Sequence, residues 1–144
     1  PLRPAVSDAG ARLAAAAEAL IGCRFRLHGC DPDTGLDCVG MVACALSSCG
    51  ARPVVPGGYG LRNLSVNHWL PLAQQSGLML THDPLHRGDV VLIDLGYSQH
   101  HLAIVLDARH VVHAHAGLRR VVRQPLDPAW HVRAQWRITP LLEG

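Results

Sequence analysis

The sequence contains no lysine. All 13 basic residues are arginine, set against 11 acidic ones, and the formal net charge is only +2. A balance that small leaves no electrostatic footprint for a nucleic-acid partner. Long apolar runs are also missing. Although 49% of residues are hydrophobic, no stretch approaches the ~18 uninterrupted apolar residues of a membrane helix, so no membrane partner is expected. Charged residues are few, at 17%, and a chain this apolar and this weakly charged is not disordered. Neither C-x-x-C nor H-E-x-x-H occurs, which removes the commonest zinc signatures. No secretory leader opens the sequence. It begins Pro1-Leu2-Arg3-Pro4 without an initiator methionine, which leaves a processed or trimmed start open.

What is present fits one domain. At 144 residues the chain builds a single core, so residues 1–144 are read as one globular unit. Histidine is abundant: there are 10, and seven of them fall between His82 and His115. The five cysteines (Cys23, Cys30, Cys38, Cys44 and Cys49) lie within one 27-residue window. An odd number without regular spacing argues against a disulfide framework and for at least one free thiol.

The first third reads as helical. Ser7 and Asp8 are good N-cap residues, the Ala-rich run through Ile21 favours helix, and Gly22 supplies a stop. Cys23 to Leu36 is rich in turn formers and reads as a loop. A second helix is expected from about Asp37, with Met41, Val42, Ala45 and Leu46 on its apolar face and Gly50 capping its end. Gly40 weakens that helix. Residues 51–87 are the least legible; a short helix around Leu64 to Gln75 is expected, limited by Pro71. In the last third the period changes to two. Val90 to Ile93, His101 to Leu106, His110 to Ala116, Val121-Val122 and Val132 to Ile138 read as antiparallel strands, with Asp107-Ala108-Arg109 as a hairpin connection. In the final strand Val132, Ala134, Trp136 and Ile138 face one way. Helices first and strands afterwards make an α+β plan.

Cys38 sits at the first turn of the second helix, where the helix dipole and unpaired amides favour a thiolate and lower its pKa. The same amides suit an oxyanion. A buried structural cysteine is the plain alternative. A thiolate nucleophile needs a base. His101, Ala103 and Val105 share one face of their strand, and Val111, His113 and His115 project together on the next. If those strands pair, His101 neighbours His113 or His115, giving a base and a residue to orient it. A scatter of surface imidazoles is the alternative. So is a zinc site built on His113-x-His115 with His100 or His101, as in a zinc-dependent amidase.

Five segments resemble the NlpC family of bacterial cell-wall peptidases. Leu36 to Val42 (LDCVGMV) resembles the family's "fDCSGLV", and Gly88 to Ile93 (GDVVLI) its "GDLVFF". His101 to Val105 (HLAIV) is similar to "HVGIY", and Val111 to Ala114 (VVHA) to "fIHAs". Gly22 to Gly29 (GCRFRLHG) matches the upstream "GtPYrfGG" block in position and shape. The order and spacing are the family's, over residues 5 to about 138. The longer loop LHGCDPDTGLDCVG looks most like the phage-tail and gene-transfer-agent branch.

The resemblance implies a papain-like fold, helices packed on a small antiparallel sheet. It implies a cysteine endopeptidase or amidase acting on peptidoglycan stems, often at the γ-D-glutamyl-diaminopimelate bond, with no cofactor. It makes Cys38 the nucleophile, His101 the general base and His113 the residue that orients His101. Asp37 would contact the substrate's amino group, or else simply cap the helix. Phe25 stands where the family has a substrate-side tyrosine whose hydroxyl assists the oxyanion, Arg24 replaces a proline, and Val39 replaces a serine. The missing hydroxyl points to a catalytically weak or inactive cell-wall-binding or tail module as the alternative. Expected partners are peptidoglycan stems and phage-like tail proteins. The expected location is a particle tail, made in the cytoplasm and acting on the periplasmic cell wall.

Overall fold

The computed structural model describes residues 5–53, 73–96 and 99–139. Two helices, α1 (Ala5–Glu18) and α2 (Cys38–Ser48), precede most of the strands. The strands are β1 (Cys30–Asp31), β2 (Gly35–Leu36), β3 (Leu78–Leu80), β4 (Val90–Gly96), β5 (Gln99–Val105), β6 (His110–His115), β7 (Arg120–Pro125) and β8 (His131–Ile138). β1 and β2 form a small hairpin inside the segment read as loop, and the others form a six-stranded sheet in the order β3-β8-β4-β5-β6-β7. Every pairing in it is antiparallel. The α+β expectation therefore holds.

α1 ends earlier than the sequence suggests. Its hydrogen bonding tightens after Glu18, with Leu20 N–H donating to Ala17 O and Ile21 N–H to Glu18 O, bonds of three-residue rather than four-residue span. The chain then leaves through Gly22, whose N–H donates to Val121 O at 2.9 Å. α1 also starts at Ala5, ahead of Ser7 and Asp8. α2 matches its expected bounds. Asp37 is its N-cap, and Gly50, at φ 84°, takes the left-handed turn just beyond it. Gly40, which weakens the helix by propensity, is there for a steric reason. A Cβ at this position would lie 1.9 Å from Gly29 O, so only glycine lets the β1 loop pack onto the helix.

The sheet has two unlike faces. α1 and α2 cover one, and Leu13, Leu36, Met41, Leu46, Leu92, Leu102, Ile104 and Trp136 fill the main core between them. On the other face Val91, Ile93, Ala103, Val105 and Val111 form a smaller cluster, flanked by Leu85, Leu126 and Trp130. The period-two assignment of β5 is thus correct on both faces. In β8 it fails at one residue: Val132 is 43% exposed. Leu92 pairs with Ala134 but Ile93 pairs with Val132, so Arg133 is the extra residue of a bulge. The bulge turns Val132 onto the face of Ile93, away from Ala134 and Trp136. β3, an edge strand beside β8, lies in the segment the sequence left unread. The helix expected at Leu64 to Gln75 falls almost wholly outside the described residues, although residues 73–75 are helical.

Candidate active site

β5 is paired with β4 from Val90↔Ile104 to Gly96↔Gln99. Its pairing with β6 stops after Val105↔Val111 and Ile104↔Val112. Continuing that register would set Leu102 opposite Ala114. The even-numbered amides of β5 point toward β6, since Leu106 N–H donates to His110 O, whereas Val105 N–H donates the other way, to Asp89 O just before β4. Leu102 N–H therefore faces the opening, and so does the carbonyl of Ala114. Neither is left empty. The Leu102 amide is hydrogen-bonded to the sulfur of Cys38, and the Ala114 main chain is placed to favour the protonated form of the His101 imidazole. The thiol has taken the donor of a missing ladder pair, and the acceptor of that pair favours a charged imidazole. That brings Cys38 and His101 to one opening in the sheet.

From His101 a chain of side-chain contacts crosses the sheet. His101 Nε2 lies 2.6 Å from His113 Nδ1, and His113 Nε2 lies 2.6 Å from Gln124 Oε1 on β7. The rings of His101 and His113 meet edge-on, at 88° and 4.7 Å between centroids. Trp130 presents a second edge to His113 at 6.0 Å, and His115 lies tilted beside it at 5.3 Å. Of the two imidazoles left open by strand geometry, His113 is thus the one bonded to His101. Gln124 and Trp130 were not anticipated. Gln124 is the diagonal neighbour of His113, set directly opposite Val111, and that relation exists only once the β6–β7 register is known.

The electrostatics depart from the sequence expectation. Cys38 is fully buried, and burial pushes its thiol up to about 12, with the Asp37 carboxylate acting in the same direction. The amides of Leu102, Val39 and Cys38 itself pull it back without prevailing. Among the described residues no cation offsets the loss of water, so the helix terminus does not produce the lowered pKa expected. His101 is pushed down to about 3 by burial and by the neighbouring His113 and His115. Burial lowers His113 too, opposed by its bond to Gln124. At neutral pH the resting pair is therefore neutral thiol and neutral imidazole. Among the described residues no hydrogen bond joins Sγ to an imidazole.

The remaining candidates sit as follows. Asp37 is wholly buried. One carboxylate oxygen accepts from Gly40 N–H and the other from His28 N–H, each at 2.8 Å. It caps α2 and ties the preceding loop to it, with no exposed surface of its own. Phe25 bridges to Leu36 and packs its half-buried ring on the main core; it brings no donor to the site. All five cysteines are free thiols. Among the described residues no group of three His, Cys, Asp or Glu side chains is placed to hold a metal ion. The zinc arrangement of His113 and His115 with His100 or His101 is thus not formed. His101 and His113 turn their nitrogens to each other and to Gln124 instead.

No protein-family model matches the chain, and no curated protein matches it in sequence. Solved structures do. The chain is similar to NlpC2 from Trichomonas vaginalis, with a TM-score of 0.69 at 18% identity over 90% of this chain and 46% of that one. It is similar to the NlpC/p60 domain of the peptidoglycan hydrolase SagA, with a TM-score of 0.59 at 21% identity over 90% and 97%. An NlpC/P60 family protein from Bacillus cereus gives 0.61 at 21% identity over 97% and 42%. The chain thus spans under half of two of these proteins and nearly all of the SagA domain. At such identities the likeness is one of fold, and the fold is that of NlpC/P60 domains.

Proposed function

We propose that this protein is an NlpC-type cysteine peptidase or amidase that hydrolyses amide bonds in the peptide stems of bacterial peptidoglycan. The observation that carries the reading is the shared ladder opening, where the Cys38 sulfur takes the Leu102 donor and the Ala114 main chain favours a protonated His101. The NlpC/P60 fold supports it, and so do the five matching segments of sequence. Because thiol and imidazole rest neutral, the proton leaves Sγ for His101 as the sulfur attacks the carbonyl. The Ala114 main chain favours the imidazolium that forms, and His113 holds His101 Nε2. Amides at the start of α2 and at Leu102 face the sulfur and suit the tetrahedral oxyanion. His101 then protonates the leaving amine, and with His101 as base water hydrolyses the thioester.

The γ-D-glutamyl-diaminopimelate bond is the proposed target. A phage-like tail or gene-transfer particle is the proposed carrier, made in the cytoplasm and acting on the periplasmic cell wall. Digestion of diaminopimelate-type sacculi by wild type and Cys38→Ala, read by mass spectrometry, tests the reaction and names the bond. We expect a defined stem fragment from the wild type alone. Release by both proteins removes Cys38 from the mechanism. The burial of Cys38 and the missing hydroxyl at Phe25 favour a second reading, a module that binds the wall or forms part of a tail without cutting. Binding to sacculi with no release from either protein would establish it.

A further inference from the structure

The chain His101, His113, Gln124 has a direction, and its far end sets it. A neutral imidazole carries one N–H and one bare nitrogen. Gln124 turns its carbonyl oxygen to His113 Nε2, which requires a proton on that nitrogen and leaves His113 Nδ1 bare. His113 Nδ1 faces His101 Nε2 at 2.6 Å, so the proton in that contact belongs to His101 Nε2, and His101 Nδ1 is bare. Nδ1 is then the atom free to take a proton. With the amide turned end for end every step inverts. His113 would donate to His101 Nε2, the proton of His101 would sit on Nδ1, and the ring would have no lone pair to offer.

We propose that Gln124 is a positioning residue that, through His113, holds His101 in the Nε2–H tautomer and keeps Nδ1 as the base. This rests on the acyl-transfer reading above for its consequence, not for its geometry. Its place fits the task. Gln124 is half-buried on the sheet face away from the helices, Trp130 and His115 pack the His113 ring, and His101 and His115 are the titratable groups facing His113. A neutral acceptor here fixes the protonation pattern without adding charge to a buried pair of histidines. An asparagine, one methylene shorter, would not span the same diagonal.

The test is 15N NMR of the histidine-labelled full chain at neutral pH, where protonated and bare imidazole nitrogens have well-separated shifts. The wild type should show Nε2–H and bare Nδ1 at both His101 and His113. Gln124→Met, which fills the space without accepting, should give a mixture of tautomers and about a tenfold fall in kcat at unchanged KM, the worth of one neutral hydrogen bond. Gln124→Glu, which can only accept, should keep the wild-type tautomers. A bare Nε2 at His101 in the wild type, or an unaltered pattern in Gln124→Met, overturns the proposal. A wild type that cleaves no sacculi sinks the enzymatic reading alone, because the tautomers are read without turnover.

Discussion

β5 has two unlike neighbours. Its ladder with β4 runs the length of the strand, while its ladder with β6 closes for only two pairs before opening. Both sides meet the requirement that buried main-chain polar groups find partners. On the closed side the backbone meets it. On the open side a thiol meets the Leu102 amide and the Ala114 main chain favours a charged imidazole, and both side chains lie in a water-poor site. β6 stays fully paired with β7 from His110↔Pro125 to His115↔Arg120, so the opening lies between two intact hairpins and costs the sheet little order. This site is thus a local fault in a regular lattice, held open by side chains that fill it.

The largest effect should come from breaking the closed side. Asp89, 1% exposed, opens β4. Its carboxylate accepts from Arg137 Nε at 2.9 Å and Nη2 at 2.9 Å, from Gln135 Nε2 at 2.8 Å and from His86 N–H at 2.9 Å. The Asp89→Ala variant leaves Arg137 beside an emptied buried site, and removal of one partner from such a pair costs about 3 to 5 kcal/mol. Chemical denaturation should show that loss. A cost below about 1 kcal/mol, typical of a surface pair, would mean that the closed side is not where the stability resides.

Acid should act on the open side. His101 falls from 6.5 to about 3 on folding, so between those values the unfolded chain binds a proton that the folded chain refuses. Stability is then complete above about pH 6.5 and declines as pH falls toward 3, by up to about 1.4 kcal/mol per pH unit. The lowered pKa of His113 adds in the same direction. Denaturation midpoints measured across this window should slope in the wild type and slope less in His101→Gln. Equal slopes would place the acid sensitivity elsewhere.

Much of this was legible in the sequence, and what was not has identifiable causes. Period two alone separated Leu102 and Ile104 from Ala103 and Val105, because this stretch of β5 is buried on both faces and its register with β4 is unbroken there. The same rule misplaced Val132, since the bulge at Arg133 leaves no mark in hydrophobicity. Cys38, His101 and His113 were named from motif and strand phase. The ionisation of Cys38 was misread, because a helix N-terminus is visible in a sequence and complete desolvation is not. Gln124 was missed for want of register. It lies 11 residues from His113, within RVVRQP, where nothing but pairing distinguishes it from a solvent-facing polar residue.

The smallest effect separates the two ladders one amide at a time. Val105 N–H is bound by a backbone carbonyl, Asp89 O at 2.8 Å, whereas Leu102 N–H is bound by the Cys38 sulfur. Replacing Cys38 by Ala deletes the second acceptor and leaves the first untouched. Net hydrogen-bond energies are about 1 kcal/mol, so Leu102 should lose roughly fivefold in hydrogen-exchange protection in Cys38→Ala, with Val105 unchanged. The difference between two amides of one strand cancels any global change in stability, which would move both. If Leu102 keeps its protection, β6 has closed onto β5 once the sulfur is gone, and the opening is held by the thiol. If both amides weaken together, the effect is global and the sulfur's bond to Leu102 is not what holds that amide.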